Sequence, residues 1–397
     1  INMISPTSEN RDYALGNPAF EIGTGPNYQL KASDYPFAKG VNDVTGSMGS
    51  FKAEMIEPAL VTSYEAIKAK RKGQDVCRKI IDETFSVGGL NHRQVTSRNA
   101  PSVINAVFNH RNFWDGRANN MFNGIDPSGN RSNLENPDQG IWINDEEGLR
   151  KVQVLIKNSS LASQAVGPAL SGVEMACQGR LFPLLGEKLL NRTALQRQTV
   201  SSTDSVLGGM LYPADYVYET EVVVIDDVDV VVDIVNDKRG LIYDYRDMIE
   251  LAFQDKYWNR TDPLDDGFYQ IESNFSLFWG LAIQMYEATL VSNMTPYDDF
   301  ARGNNNALTE QQKLGLEVFV REDRGHCASC HSGSEFTGAS VIAAAMAPDG
   351  GPFDADLERV VAPEPFQRMR MLDGGVSVYD GGYYNIGVTP TEMDLCI

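Results

Sequence analysis

The residues able to do the most distinctive chemistry lie near position 330, in the run His326-Cys327-Ala328-Ser329-Cys330-His331. Cys-x-x-Cys-His is the attachment signature of c-type haem. Two thiols one helical turn apart meet the two vinyl groups of one haem, and the imidazole that follows becomes an axial ligand of the iron. Two other uses of a cysteine pair fit less well. A zinc site wants a second Cys/His pair at matched spacing, and a chain with five Cys and four His offers none. A thioredoxin-like redox pair would follow a strand and open a helix in a βαβ unit. His326 reads as a solvated neighbour of the motif rather than a ligand.

The element that must position this motif precedes it. Residues 308–319 have helical period, Thr309 and Gln312 form a capping box, and Leu316, Phe319 and Val320 share one face. A helix leading into Cys-x-x-Cys-His is how a small cytochrome c domain begins. The remaining cysteines, Cys77, Cys177 and Cys396, are scattered and suggest no framework. Haem c is attached outside the cytoplasmic membrane, so the motif predicts a periplasmic or secreted protein.

Composition agrees and excludes other classes. The chain has 397 residues, with 54 acidic against 34 basic side chains and a formal charge of −20. Such a charge repels nucleic-acid phosphates and anionic lipid, which argues against a nucleic-acid or membrane-surface role. At 42% hydrophobic and 22% charged, the chain can bury a sizeable core. No apolar run approaches the roughly 18 residues that a membrane span needs. With 35 Gly and 18 Pro, loops are plentiful. The first residue is Ile and no apolar leader follows, so either a leader has been removed or the sequence is a section of a longer one.

Along the chain, residues 1–60 read as loop-rich and 62–82 as a helix. The block from Arg98 to Phe108 reads as a turn leading into a short helix, with Pro101 in its first turn. Residues 122–145 read as a long loop. Residues 146–166, 179–192, 243–258 and 271–291 read as helices, the last apolar enough to be a core helix. Residues 217–236 differ, because β-branched runs flank Asp226-Asp227 and predict an inserted β-hairpin. Residues 339–390 read as irregular. The expected fold class is mainly α: cytochrome c-type haem domains with long loops and a small inserted hairpin. The expected domains are 1–205, 206–300 and 301–397, with the hairpin in the middle one.

Several ordered blocks together resemble the bacterial di-haem cytochrome c peroxidase family, including its methylamine-utilisation enzyme and its long, rubber-oxygenase-like branch. They are Arg98-Asn99-Ala100-Pro101-Ser102-Val103, Phe113-Trp114-Asp115-Gly116-Arg117-Ala118, Gln164-Ala165-Val166-Gly167-Pro168 with Val173-Glu174-Met175, Glu287-Ala288-Thr289-Leu290, the Cys327–His331 motif, and Tyr384-Asn385-Ile386-Gly387-Val388. The resemblance implies two haems. Cys327 and Cys330 would hold the C-terminal one, where electrons enter, with His331 as its proximal iron ligand. Trp114 matches the tryptophan between the haems, an electron relay; as a plain sequence feature it could equally be a core aromatic. Glu174 matches the acid beside the peroxidatic haem, able to take a proton from hydrogen peroxide and return it to the leaving oxygen; the bland alternative is a solvated surface Glu. His92 lies near a loop histidine that ligates the peroxidatic iron at rest, or it is an exposed loop His. Asn99 matches a ligand of calcium between the haem domains, where an amide oxygen suits a hard cation; such an Asn is also a common cap. His110 has no family role.

The chain departs from the family in carrying one haem motif where two are expected; Cys77-Arg78-Lys79-Ile80-Ile81 is not a second. The expectation is a sequence truncated at both ends, with the first motif upstream of Ile1; a mono-haem relative is the competing explanation. The leading function is a periplasmic haem oxidoreductase reducing hydrogen peroxide, with a small cytochrome or cupredoxin as electron donor and a homodimer as an admissible assembly. The alternatives are a haem oxygenase using dioxygen to cleave a polyisoprene-like polymer, and a mono-haem electron-transfer protein.

Overall fold

The computed structural model describes residues 2–6, 28–29, 31–34, 43–56, 75–87, 89–96, 99–114, 116–212, 221–225, 228–232, 240–325, 327–329, 331, 333–337, 339–342, 367–370 and 376–379. Strands β1 (Asn2–Pro6), β2 (Tyr28–Gln29) and β3 (Asp43–Ser47) form a three-stranded sheet in the order β2-β1-β3. β4 (Ala53–Met55) pairs antiparallel with β5 (Cys77–Lys79), and β6 (Ser86–Val87) with β7 (Leu90–Asn91). Helix α1 (Asn130–Glu135) precedes the hairpin β8 (Ile141–Asp145) and β9 (Gly148–Val152). Helices α2 (Ser160–Ala165) and α3 (Phe182–Leu189) follow, then the hairpin β10 (Glu221–Ile225) and β11 (Val228–Val232). Next come α4 (Tyr245–Ala252), α5 (Gln270–Ser273), α6 (Phe275–Glu287), α7 (Pro296–Ala301) and α8 (Glu310–Val320). The pair β12 (Gln367–Arg370) and β13 (Val376–Tyr379) is the last described element.

Among the described residues the fold is mixed, helices interleaved with small two- and three-stranded sheets, beside the mainly-α expectation. The largest revision concerns residues 122–166. The expected loop over 122–145 contains α1 and β8, and the expected helix over 146–166 is β9 followed by the short α2. Ile141 and Ile143 alternate inward and are buried, the period-2 signature of a half-buried strand. Gly148, at φ 90°, opens the return strand in a conformation that favours glycine. Asp145 closes the turn by accepting from the Glu147 N–H at 3.0 Å. The charged residues Asp145, Glu146, Glu147 and Arg150 occupy the exposed turn and edge of this hairpin. The helix expected over 62–82 fails at its described end, where Cys77–Lys79 is a strand; residues 57–74 lie outside the described residues. Within residues 1–60, read as loop-rich, the described residues hold the short strands β1 through β4, and 7–27, 35–42 and 57–60 lie outside the described residues.

Other expectations hold. β10 and β11 pair antiparallel with Val224 opposite Asp229 and Ile225 opposite Val228, as the β-branched runs require. Thr309 caps α8, its side chain accepting from the Gln312 N–H while Gln312 Oε1 accepts from the Thr309 N–H at 2.8 Å. α6 is the core helix: Phe275, Leu277 and Phe278 bury against Phe122, Ile141, Ala162, Val166 and Leu185.

Two wholly buried amides lock the β8–β9 hairpin onto this core. Asn274 Oδ1 accepts from the Trp142 N–H at 2.9 Å, and Asn274 Nδ2 donates to the carbonyls of Trp142 and Tyr257 at 2.8 Å each. Gln270 Nε2 donates to the carbonyls of Trp142 and Lys256 at 3.0 and 2.9 Å. These backbone groups would otherwise be buried without partners, at about 1–3 kcal/mol each.

Gly280 sets the closest approach of α6 to its neighbours. A Cβ there would lie 2.8 Å from the Phe122 ring and 3.0 Å from the Ala162 carbonyl oxygen. Gly280→Ala is expected to destabilise the protein by about 1–2 kcal/mol, because overpacking outweighs the gain in helix propensity. A rise in the thermal midpoint of this variant would refute that packing argument.

Candidate functional site

The haem motif begins one residue after Arg321–Gly325 turns away from α8. Cys327–Ser329 forms a single 3-10 turn, and the His331 N–H donates to the Cys327 carbonyl at 2.9 Å, which sets the two side chains one turn apart. The Cys327 thiol is free and half-buried. His331 Nδ1 lies 3.0 Å from the Phe336 carbonyl oxygen. A carbonyl only accepts, so Nδ1 is the donor and Nε2 is the ring nitrogen left for a metal. A backbone acceptor on one ring nitrogen is what orients an imidazole to ligate metal through the other. Phe319 lies beside it, ring centroids 6.4 Å apart, and an edge-to-face chain continues from Phe319 to Phe336 and from Phe336 to Tyr297. A free thiol, an imidazole with its tautomer held, and an aromatic wall fit haem c. His326 and Cys330 lie outside the described residues.

The Trp114 block is held against this end of the molecule. Asn112 and Ala118 exchange backbone hydrogen bonds at 3.3 and 3.2 Å, so residues 112–118 form a closed loop with Trp114 near its tip. Phe113 sits at φ 63°, a costly conformation for a bulky residue and one that concentrates at functional sites. Arg117 stacks over the Phe113 ring at 3.8 Å. Trp114 itself is 59% exposed, which removes the core-aromatic reading. Its Nε1 donates to the Asn99 carbonyl at 2.6 Å, fixing the indole on the surface. Asn99 is exposed, and among the described residues no group of three or more His, Cys, Asp or Glu could hold a metal ion.

Immediately before this loop, the His110 N–H donates to the Ala339 carbonyl at 2.9 Å, and Asn109 bridges Ser340. The loop is thus tied to the segment just after the haem motif. Burial, with the charge of Arg111 beside it, pushes His110 down to about 4, so it is neutral at working pH. The Gln164–Pro168 block meets the loop from the other side: a Cβ on Gly167 would lie 3.2 Å from the Phe113 ring.

Glu174 occupies an irregular turn. Its N–H donates to Ser171 through the carbonyl at 3.2 Å and the hydroxyl at 3.3 Å. The side chain is half-buried, between the functional and the solvated readings. His92 is 3% exposed, so it is not an exposed loop histidine. Its N–H donates to the Phe85 carbonyl at 3.0 Å and its ring packs edge-on to Phe85. Two residues on, Gln94 Nε2 donates to the Gly172 carbonyl at 3.0 Å, so the His92 segment and the Glu174 turn are joined directly.

Cys77 and Cys177, read as scattered, form a disulfide across a separation of 100 residues. It joins β5 to the residue three after Glu174. An ion cluster lies beside it: Arg180 pairs with Asp75, and Lys188 Nζ reaches Asp75 Oδ1 at 3.0 Å. Burial is the main cause that pushes Lys188 down to about 8. Sequence reasoning missed the pairing because two cysteines a hundred residues apart carry no spacing signal. The usable hint was that an exported protein keeps few thiols free.

The di-haem cytochrome c peroxidase family matches residues 72–203. That match takes in about a third of the chain, which over this stretch is similar to the di-haem cytochrome c peroxidases. Cytochrome c551 peroxidase of Pseudomonas aeruginosa is 47% identical over 62 residues, covering 16% of this chain and 17% of that protein. Methylamine utilization protein MauG of Methylophilus methylotrophus is 38% identical over 56 residues, 14% of this chain and 17% of its own length. Cytochrome c peroxidase Ccp of Escherichia coli is 33% identical over 116 residues, 28% of this chain and 24% of that protein. The chain therefore spans at most about a quarter of each of these relatives. The part matching the di-haem peroxidases contains His92, Asn99, Trp114, Glu174 and both disulfide cysteines, while the Cys327–His331 motif lies beyond it.

Proposed function

We propose that this chain is part of a periplasmic c-type haem oxidoreductase that reduces hydrogen peroxide. Each peroxide takes two electrons and two protons and leaves as two waters. Bound haem supplies the one-electron redox chemistry. The observation that carries the proposal is the free Cys327 thiol one turn from His331, whose Nδ1 is held by the Phe336 carbonyl. Cys327, Cys330 and His331 are assigned to the haem at which electrons enter from a small cytochrome or cupredoxin. Trp114, fixed by Asn99 on a loop tied to the Ala339–Ser340 segment, is assigned the relay between the two ends. Glu174 is assigned the proton transfer, its carboxylate accepting from peroxide and returning the proton to the leaving oxygen. His92 stands at the same end through Gln94. The exposed Asn99 amide offers a hard oxygen to calcium. The Cys77–Cys177 disulfide supports an oxidising compartment, and among the described residues no helix is long and apolar enough to cross a membrane.

The test is a pyridine haemochrome ratio on full-length protein of known mass, with peroxide turnover driven by a reduced small cytochrome. Two haems and turnover are expected. Two haems without turnover would remove the peroxidase reading. Cys327→Ser is expected to lower covalently attached haem by one per chain, scored by haem staining after denaturing electrophoresis together with intact mass.

A further inference from the structure

Glu174 lies in a turn with no helix or strand of its own, so its position depends on what grips the turn. The grip at the start of the turn comes from two residues. Gln94 Nε2 donates to the Gly172 carbonyl at 3.0 Å. Ser50 donates to the same carbonyl through Oγ at 3.0 Å, and its N–H donates to the Val173 carbonyl at 2.7 Å. Gln94 is 6% exposed, and its backbone bonds in both directions to the segment at residues 49–50: Gly49 N–H to Gln94 carbonyl and Gln94 N–H to Ser50 carbonyl, both 2.9 Å. The far end of the turn is held by the Cys77–Cys177 disulfide and by Gln178, whose N–H donates to the Ala53 carbonyl at 2.8 Å.

We infer that Gln94 is a positioning residue for Glu174, which couples the acid to the His92 segment two residues away; this rests on the proton-transfer role proposed for Glu174. The physical reason is geometric. The Gly172 carbonyl is two residues before Glu174, and the turn between them is irregular, so a shift at Gly172 is transmitted to the carboxylate. A buried amide fixed at its own backbone cannot follow the turn; it holds it. Displacement of a catalytic acid by a fraction of an ångström is costly, because proton transfer requires hydrogen-bond reach.

The test is a double-mutant cycle on kcat for peroxide in the haem-loaded, full-length protein. Gln94→Met keeps the side chain's shape and removes its donor. It is expected to lower kcat about tenfold with haem content unchanged. In a Glu174→Gln background the same substitution is expected to change kcat by less than about twofold, because there is no longer a carboxylate to position. A purely structural role would give the full tenfold loss in both backgrounds and would overturn the inference, as would a silent Gln94→Met. Ser50→Ala, which removes the second side-chain donor to Gly172, provides the same cycle should Gln94→Met lower the thermal midpoint or haem content. Full turnover by Glu174→Gln alone would overturn the proton-transfer reading, and this inference with it; that outcome is recognised in the single variant before the cycle is closed.

Discussion

Glu174→Gln in the haem-loaded protein is expected to lower kcat for hydrogen peroxide by about 10²–10³-fold, the usual scale for removing a positioned general acid–base group. The substitution changes little else. Glutamine has the same shape, and the side chain of Glu174 is half-buried rather than locked in a salt bridge that a neutral amide would break. The turn is held through main-chain and Ser171 contacts that the substitution leaves alone. Haem content and thermal midpoint should therefore stay at wild-type values, and KM should change less than kcat. The assay is steady-state peroxide turnover with a reduced cytochrome across a pH series. A kcat within threefold of wild type would remove Glu174 from the chemistry and leave it as a turn residue.

The second large effect concerns stability. Replacing both Cys77 and Cys177 by Ser is expected to cost about 4–5 kcal/mol. The bridge closes a loop of 100 residues, and in the chain-entropy account a cross-link of that length removes about 4.7 kcal/mol of freedom from the unfolded chain. The Asp75–Arg180 pair and the β4–β5 ladder remain and keep the same segments adjacent, so the native fold should survive at low temperature. The relevant measurement is urea unfolding by tryptophan fluorescence, wild type against the double variant. A difference below about 1 kcal/mol would mean that the unfolded chain is already compact around this pair. The substitution also frees the far end of the Glu174 turn, so a loss of kcat beyond that explained by unfolded protein would accompany the loss of stability.

The two effects meet at one place in the fold. Residues from 49–55, 75–77, 92–94 and 171–180 converge on the turn that carries Glu174. The Trp114 loop is anchored instead through Asn99 and through the Ala339–Ser340 segment. The Glu174 turn and the Trp114 loop thus have different anchors, and they approach each other where Gly167 packs on the Phe113 ring.

The chemistry that depends on local spacing was legible without a structure. Cys-x-x-Cys-His is a short motif whose meaning lies in the intervals between its residues, and the capped helix α8 before it follows from Thr309 and Gln312 three residues apart. The β10–β11 hairpin was legible for the same reason: β-branched runs flanking a short acidic turn leave few other conformations. Residues 141–152 were misread, 141–145 as the end of a long Asn-, Gly- and Pro-rich loop and 146–152 as the start of a helix, because the alternation of Ile141 and Ile143 is too short a period-2 signal to stand alone. The deciding facts, burial of Ile141 and Ile143 and the amides of Gln270 and Asn274 that seat Trp142, come from residues more than a hundred positions downstream. The Cys77–Cys177 bridge, 100 residues apart, and the grip of Gln94 on Gly172, 78 apart, were hidden for the same reason, and the exposure of Trp114 and the burial of His92 likewise depend on the closed fold. The sequence by itself determined which residues carry the Cys-x-x-Cys-His spacing and where regular elements with local signals form, because those properties reside in neighbours along the chain. Only the tertiary structure decided which distant segments position Glu174 and Trp114, because hydrogen bonds and a disulfide between residues up to a hundred or more apart depend on the closed fold and leave no period in the sequence.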